Sequence, residues 1–198
     1  MRGRSFLAAA VLAVPAFAAG AKAPAAHDPH ALFLQLEKTD AVAEGPRASK
    51  RVLYVFFDAN CWYCHLTWKA LQPYERAGLR VRWVPVAYQK ETSKGRAAAI
   101  MEAKNRAQAL RENETYYRAD SYDGGIEVAQ VSRRLAAQLE RNTKLMREFG
   151  APGTPLLVWK DEKGVVRTKV GMPRLAELPA IADLPEQEND DPELADFR

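Results

Sequence analysis

The chain has 198 residues, 47% hydrophobic and 27% charged, which is enough for one folded domain with its own core and rules out a disordered or fibrous chain. Its net charge of +4 falls to +2 once Arg2 and Arg4 are set aside, and acidic residues interleave with basic ones throughout, so no electrostatic footprint for nucleic acid is present. Two cysteines cannot build a multi-bridge secreted scaffold or a four-cysteine zinc site.

Arg2 and Arg4 precede an apolar run from Phe6 to Phe17, closed by the small-large-small triplet Ala16-Phe17-Ala18. That is the pattern of a secretory signal peptide over residues 1–18, and the run is shorter than the ~20 residues that span a bilayer. The expectation is export to an oxidising compartment, the periplasm, without stable membrane insertion. Residues 19–50 read as a mobile leader followed by a linker helix. Asp28 or His30 opens that helix, Leu32, Phe33, Leu36 and Val42 lie near helical spacing, and Gly45-Pro46 ends it.

Val52 to Phe57 is wholly apolar and rich in β-branched and aromatic residues, as in a strand buried on both faces. Cys61 to Arg76 turns helical, with Leu66, Ala70, Leu71 and Tyr74 inward and Gly78 as the stop. Leu79 to Val86 is a second strand. Thr92 to Glu114 is rich in strong helix formers, Asp123-Gly124-Gly125 makes a turn, and a further helix places Val128, Val131, Leu135 and Leu139 on one face before Gly150 caps it. Leu156 to Trp159 and Val165 to Val170 form a hairpin across Gly164, Arg174 to Asp183 forms a last helix, and residues 186–198 read as a solvated acidic tail. This order predicts an α/β fold with a mixed sheet.

Chemistry concentrates in Cys61-Trp62-Tyr63-Cys64, at the junction of a buried strand and a helix. Unpaired N–H groups and the positive end of the helix dipole stabilise a thiolate there, which makes Cys61 the exposed nucleophile and Cys64 the resolving thiol one turn deeper. A purely structural bridge is the plainest alternative, although so small a loop contributes little chain-entropy stabilisation. His65 completes a Cys-x-x-Cys-His haem-attachment pattern, and Cys61, Cys64 and His65 together could ligate a metal. Against both stand the buried strand ahead of the motif and a shortage of further ligands, since His27 and His30 lie in the leader. No metal or cofactor is therefore assigned, and His65 otherwise reads as a helix-surface residue. Ahead of the third strand, Gly150-Ala151-Pro152-Gly153-Thr154-Pro155 offers Pro155 as a candidate cis residue, a trans proline in a rigid loop being the alternative. The Thr154 main chain is expected to be free to pair with an extended substrate beside Cys61.

With these residues identified, the chain resembles the thioredoxin superfamily, and within it the DsbC/DsbG group of periplasmic thiol-disulfide proteins. Phe56-Phe57-Asp58-Ala59-Asn60-Cys61-Trp62-Tyr63-Cys64 is similar to that group's Phe-x-Asp-x-x-Cys-x-Tyr-Cys pattern. Asn142 to Pro155 and Val170-Gly171-Met172-Pro173 resemble its Thr-Pro and Val-Gly-Leu-Pro segments. The resemblance implies a thioredoxin fold, a mixed β-sheet with helices on both faces, over residues 51–185, carrying a helical insertion at about 92–149. It implies a redox-active disulfide between Cys61 and Cys64, a cis Pro155, and substrate contact by Thr154, with the exposed Trp62 and Tyr63 alongside. The group's amino-terminal dimerisation domain has no counterpart here, so a monomer is expected. The function implied is reduction or isomerisation of disulfides in exported, cysteine-containing proteins, reset by a membrane or periplasmic thiol-disulfide partner. A redox-inactive adaptor, with Trp62 and Tyr63 as its recognition surface, is the competing class.

Overall fold

The computed structural model describes residues 28–198, so the expected signal peptide and most of the leader lie outside the described residues. Five strands form one sheet in the order β1-β3-β2-β4-β5. At its centre is β2 (Val52–Asp58), whose apolar run accounts for its burial on both faces. It pairs in parallel with β3 (Arg80–Val86), from Val52↔Arg80 to Asp58↔Val86, through the crossover helix α2 (Trp62–Arg76). On its other side β4 (Leu156–Lys160) is antiparallel, with Phe56 opposite Leu156, and β5 (Val166–Val170) completes the expected hairpin.

Alternation along the strands divides the core into two layers. Leu53, Val55, Phe57, Val81, Trp83 and Leu157 pack with Leu66, Ala70, Leu71 and Tyr74 of α2. Tyr54, Phe56, Val84, Val86, Leu156 and Val158 pack with Leu32, Phe33 and Leu36 of α1 (Pro29–Glu37) and with Leu145 and Met146 of α5 (Arg133–Glu148). Each such fully buried side chain contributes roughly 1.5–3 kcal/mol of hydrophobic stabilisation. Gly45 is required by its surroundings: at φ +78° it lies so close to β3 that a Cβ would stand 2.1 Å from the Leu79 carbonyl oxygen.

Four expectations are corrected. Val42 does not continue the first helix; it opens β1 (Val42–Glu44), which pairs antiparallel with β3. The stretch from Thr92 to Glu114 is two helices, α3 (Thr92–Met101) and α4 (Arg106–Thr115), because the Asn105 side chain accepts from the Gln108 N–H at 3.1 Å and starts a new helix. Val128 and Val131 precede α5 rather than line it. Ala129 donates instead to the Gly95 carbonyl at 3.0 Å, laying this segment along α3, and Ser132 caps α5 by accepting from Leu135 N–H. The acidic tail is exposed over most of its length but does not hang free of the domain. After α6 (Leu178–Ala182) the chain returns to α2 and ends in a 3-10 turn, Pro192–Phe197, whose Leu194 is fully buried in the core. Among the described residues no helix is long and apolar enough to cross a membrane.

Candidate active site

The end of β2 feeds a tight turn in which Cys61 N–H donates to the Asp58 carbonyl at 2.9 Å. Cys61 is then the N-cap of α2, and its sulfur accepts from the Cys64 N–H at 3.3 Å, satisfying one of the helix's orphan donors. Pairing of β4 with β2 brings Thr154 over the same sulfur, with the Cys61 thiol 3.5 Å from the Thr154 carbonyl oxygen. The Thr154–Pro155 peptide is cis. Hydrogen bonds to the Cys64 side chain, the Thr154 hydroxyl, the Cys64 N–H and Gln89 outweigh burial and pull the Cys61 thiol from 9.0 down to about 7. Cys64, sealed one turn deeper, is pushed well above 9.0 by burial and by its neighbour's sulfur. The two thiols are thus driven apart in acidity, one ready to ionise and the other held neutral.

Three sequence expectations change at this site. Cys61 is not exposed: only 3% of it is accessible, because Thr154 covers its sulfur. Nor is the Thr154 main chain free, since its N–H donates to the Tyr88 phenol oxygen at 2.8 Å. Finally, Trp62 and Tyr63 part company. Tyr63 is exposed, with its ring edge-on to Phe197 at 6.3 Å. Trp62 is half-buried, stacked on His65 (5.5 Å) and tilted against Tyr117 (5.7 Å), with Tyr122 edge-on at 6.4 Å.

His65 is also corrected. It is buried, lies 4.6 Å from and nearly parallel to Tyr117, and is bracketed by two carboxylates. Nδ1 is 3.1 Å from Glu114 and Nε2 is 3.3 Å from Glu193 of the carboxy-terminal turn. Both ring nitrogens therefore have carboxylate partners, which fix the imidazole between α4 and the carboxy-terminal turn. Among the described residues no group of three or more His, Cys, Asp or Glu is placed to hold a metal ion.

Beneath the cysteines lies a polar floor that sequence reasoning missed. Asp58 is buried and accepts four hydrogen bonds: from Asn60 N–H (3.0 Å), the Ser93 hydroxyl (2.8 Å), Tyr88 N–H (2.8 Å) and Gln89 N–H (3.1 Å). The Asn60 amide donates to Thr92 and Ser93, while its oxygen accepts from Arg96 Nε (2.8 Å) and Gly124 N–H (3.0 Å). The parallel register held the signal: Asp58 lies opposite Val86, so the residues just past β3, Tyr88 and Gln89, must emerge beside it.

The thioredoxin-like domain family matches residues 39–183. The thiol:disulfide interchange protein DsbG of Pseudomonas aeruginosa is 28% identical over 151 residues, covering 76% of this chain and 58% of that protein. DsbG of Escherichia coli K12 is 27% identical over 146 residues, covering 72% and 56%. The chain therefore spans a little over half the length of these relatives. Among solved structures, a periplasmic thioredoxin-like protein from Salmonella enterica serovar Typhimurium superposes with a TM-score of 0.61 at 21% identity, covering 78% of this chain and 94% of that one. Proteus mirabilis ScsC in a transitional conformation gives 0.63 at 19% identity, covering 80% and 79%. At these identities the structures speak for the fold alone. With the family match extending over most of the chain and the five-stranded sheet in place, this protein belongs to the thioredoxin-like domain family.

Proposed function

We propose that the protein is a thiol-disulfide oxidoreductase that works by mixed-disulfide exchange on exported, cysteine-containing proteins in the periplasm. The observation that carries this reading is the placement of the pair: Cys61 is the N-cap of α2 with its sulfur accepting from the Cys64 N–H at 3.3 Å, Cys64 is buried one turn behind it, and this setting lowers Cys61 to about 7 and raises Cys64. Thiolate is the attacking species in disulfide exchange, and a thiol ionising near ambient pH is close to the optimum attacker.

In the reductive direction the Cys61 thiolate attacks one sulfur of a substrate disulfide. A Cys61–substrate bond forms, and the other substrate sulfur leaves as a thiolate that takes up a proton. Cys64 then loses its proton and attacks the Cys61 sulfur, expelling the second substrate thiolate. The substrate gains two electrons, and the protein is left with a Cys61–Cys64 disulfide that an external thiol-disulfide partner must reduce. Isomerisation uses the same first step, with the expelled substrate thiolate returning to a different sulfur. Cys61, Cys64, Thr154 and Pro155 all come from one chain, so a single copy is the proposed working unit. The relatives are named for thiol:disulfide interchange, which supports the exchange chemistry, and the reductase or isomerase direction is proposed from the sequence resemblance to the DsbC/DsbG group.

Insulin reduction by dithiothreitol tests the reading. The wild type is expected to accelerate precipitation and Cys61→Ser is not; equal acceleration by both, or none by the wild type, removes the enzymatic assignment. A Cys64→Ala chain expressed in the periplasm is expected to accumulate covalent adducts that reductant releases.

A further inference from the structure

Resting on that reading, we propose that Tyr88 is a displaceable latch that selects among substrates: its phenol occupies the main-chain position an extended peptide must take at Thr154, and a bound peptide replaces it. A chain lying strand-like beside Thr154 needs that residue's carbonyl and N–H. The carbonyl faces only the Cys61 thiol at 3.5 Å, a weak donor that disappears when the thiol ionises. The N–H is held by the Tyr88 oxygen at 2.8 Å. The same phenol donates to the Thr154 hydroxyl at 3.3 Å, and the Gln89 amide reaches that hydroxyl at 3.1 Å.

The latch is built to move alone. The main chain of Tyr88 and Gln89 is fixed from below by Asp58, whereas the Tyr88 side chain is 41% exposed. Its ring can swing about its own torsions while the loop stays in place. Gly153 leaves room beside it, since a Cβ at that position would come within 3.3 Å of the phenol oxygen. Burial raises Tyr88 above its ordinary value, so the group is a neutral phenol able to accept and donate together. An extended polypeptide must break this contact before pairing. A small disulfide that reaches Cys61 without using the Thr154 N–H does not, so the latch handicaps one class of substrate and not the other.

Tyr88→Phe keeps the ring and removes the oxygen. The test measures binding of a fluorescently labelled extended peptide, its cysteine replaced by serine, by anisotropy, alongside turnover of 2-hydroxyethyl disulfide. The variant is expected to bind the peptide about fivefold more tightly, the factor for one hydrogen bond of about 1 kcal/mol net. Small-disulfide turnover is expected to change less than about twofold, because the Gln89 amide still reaches the Thr154 hydroxyl that helps to lower Cys61. Equal or weaker peptide binding by Tyr88→Phe, including none by either protein, overturns the latch. So does a gain in small-disulfide turnover as large as the gain in peptide affinity. Tighter peptide binding in a protein that exchanges no disulfide at all leaves the latch standing and removes the catalytic reading instead.

Discussion

Replacing Cys64 by alanine isolates what sets the acidity of Cys61. The Cys64 side chain is the largest of the influences lowering Cys61, ahead of the Thr154 hydroxyl, the Cys64 N–H and Gln89, with burial opposing them. Together they take the thiol from 9.0 to about 7, a preference for the thiolate of about 2.7 kcal/mol at about 1.36 kcal/mol per pKa unit. A hydrogen bond to a charged group contributes about 1.5–3 kcal/mol. Removing the thiol donor at the lower end of that range raises Cys61 by about one unit, to near 8. At pH 7 its ionised fraction then falls from about one half to about one tenth, and alkylation by iodoacetamide slows about fivefold. Thiolate absorbance in the ultraviolet, followed across the neutral and alkaline range, gives the midpoint directly, and the alkylation rate gives it independently. Alanine leaves the Cys64 N–H, 3.3 Å from the Cys61 sulfur, in place together with the Thr154 hydroxyl and Gln89, so the depression that remains is their joint contribution against burial. A midpoint that stays put or falls refutes the assignment of the largest share to the Cys64 thiol. A midpoint at the ordinary cysteine value means that the remaining hydrogen bonds only offset burial.

Three further perturbations test the surroundings. Burial and the neighbouring Glu44 raise Glu75 from 4.5 to about 9, and its Oε1 has no hydrogen-bond partner. Because its folded value is raised, its contribution to stability is intact below 4.5 and is lost as pH rises toward about 9. Glu75→Gln should therefore be more stable than wild type by about 3 kcal/mol at pH 7 in urea unfolding, with the advantage vanishing in acid; an equal difference at both pH values refutes the linkage. Asp58→Asn turns an amide N–H2 toward main-chain donors that now have an acceptor. At about 1–3 kcal/mol for each buried donor left unpaired, it should lose at least about 2 kcal/mol in the same assay. Leu194→Ala should lose about 2 kcal/mol, the low end for truncating a buried leucine because a chain end can close over the gap. A solvated tail would show no change.

What was legible in the sequence was what neighbouring residues decide among themselves. The apolar run of β2, the helical spacing of Leu66, Ala70, Leu71 and Tyr74, the hairpin turn at Gly164 and the left-handed Gly150 behind α5 each announce themselves within a few positions. The Cys61–Cys64 pair was visible because its spacing is linear information, whereas its coupling to Thr154-Pro155 came from the resemblance to the DsbC/DsbG group. The missed features depend on distant partners. Nothing near His65 signals burial; that comes from Glu114 and Glu193, the latter 128 positions away. The tail looked soluble because its composition is acidic, yet Leu194 finds the core while Lys69 of α2 neutralises Asp191 and Glu193. β1 is three residues long and owes its pairing to the open edge of β3, an opportunity that its own sequence does not record.

The same dependence on distant partners explains why the insertion between β3 and β4 belongs to the site. Asn60, one residue before Cys61, is tied to Thr92, Ser93 and Arg96 of α3 and to Gly124 of the loop beyond α4, and its carbonyl accepts from the Tyr117 hydroxyl at 2.8 Å. Asp58 adds Tyr88 and Gln89. The turn that presents the cysteines is therefore held by residues from several segments, most of them in the insertion or just ahead of it. A helix N-terminus supplies partial positive charge wherever one occurs, but it lowers a thiol only if the sulfur is kept against the amides. Here the turn that carries Cys61 is fixed by the Asp58 and Asn60 network, which places the sulfur against the Cys64 N–H at 3.3 Å. Acidity and access therefore meet at Thr154, whose hydroxyl lowers Cys61 and whose N–H is held by Tyr88, with Gln89 serving the hydroxyl from the same loop.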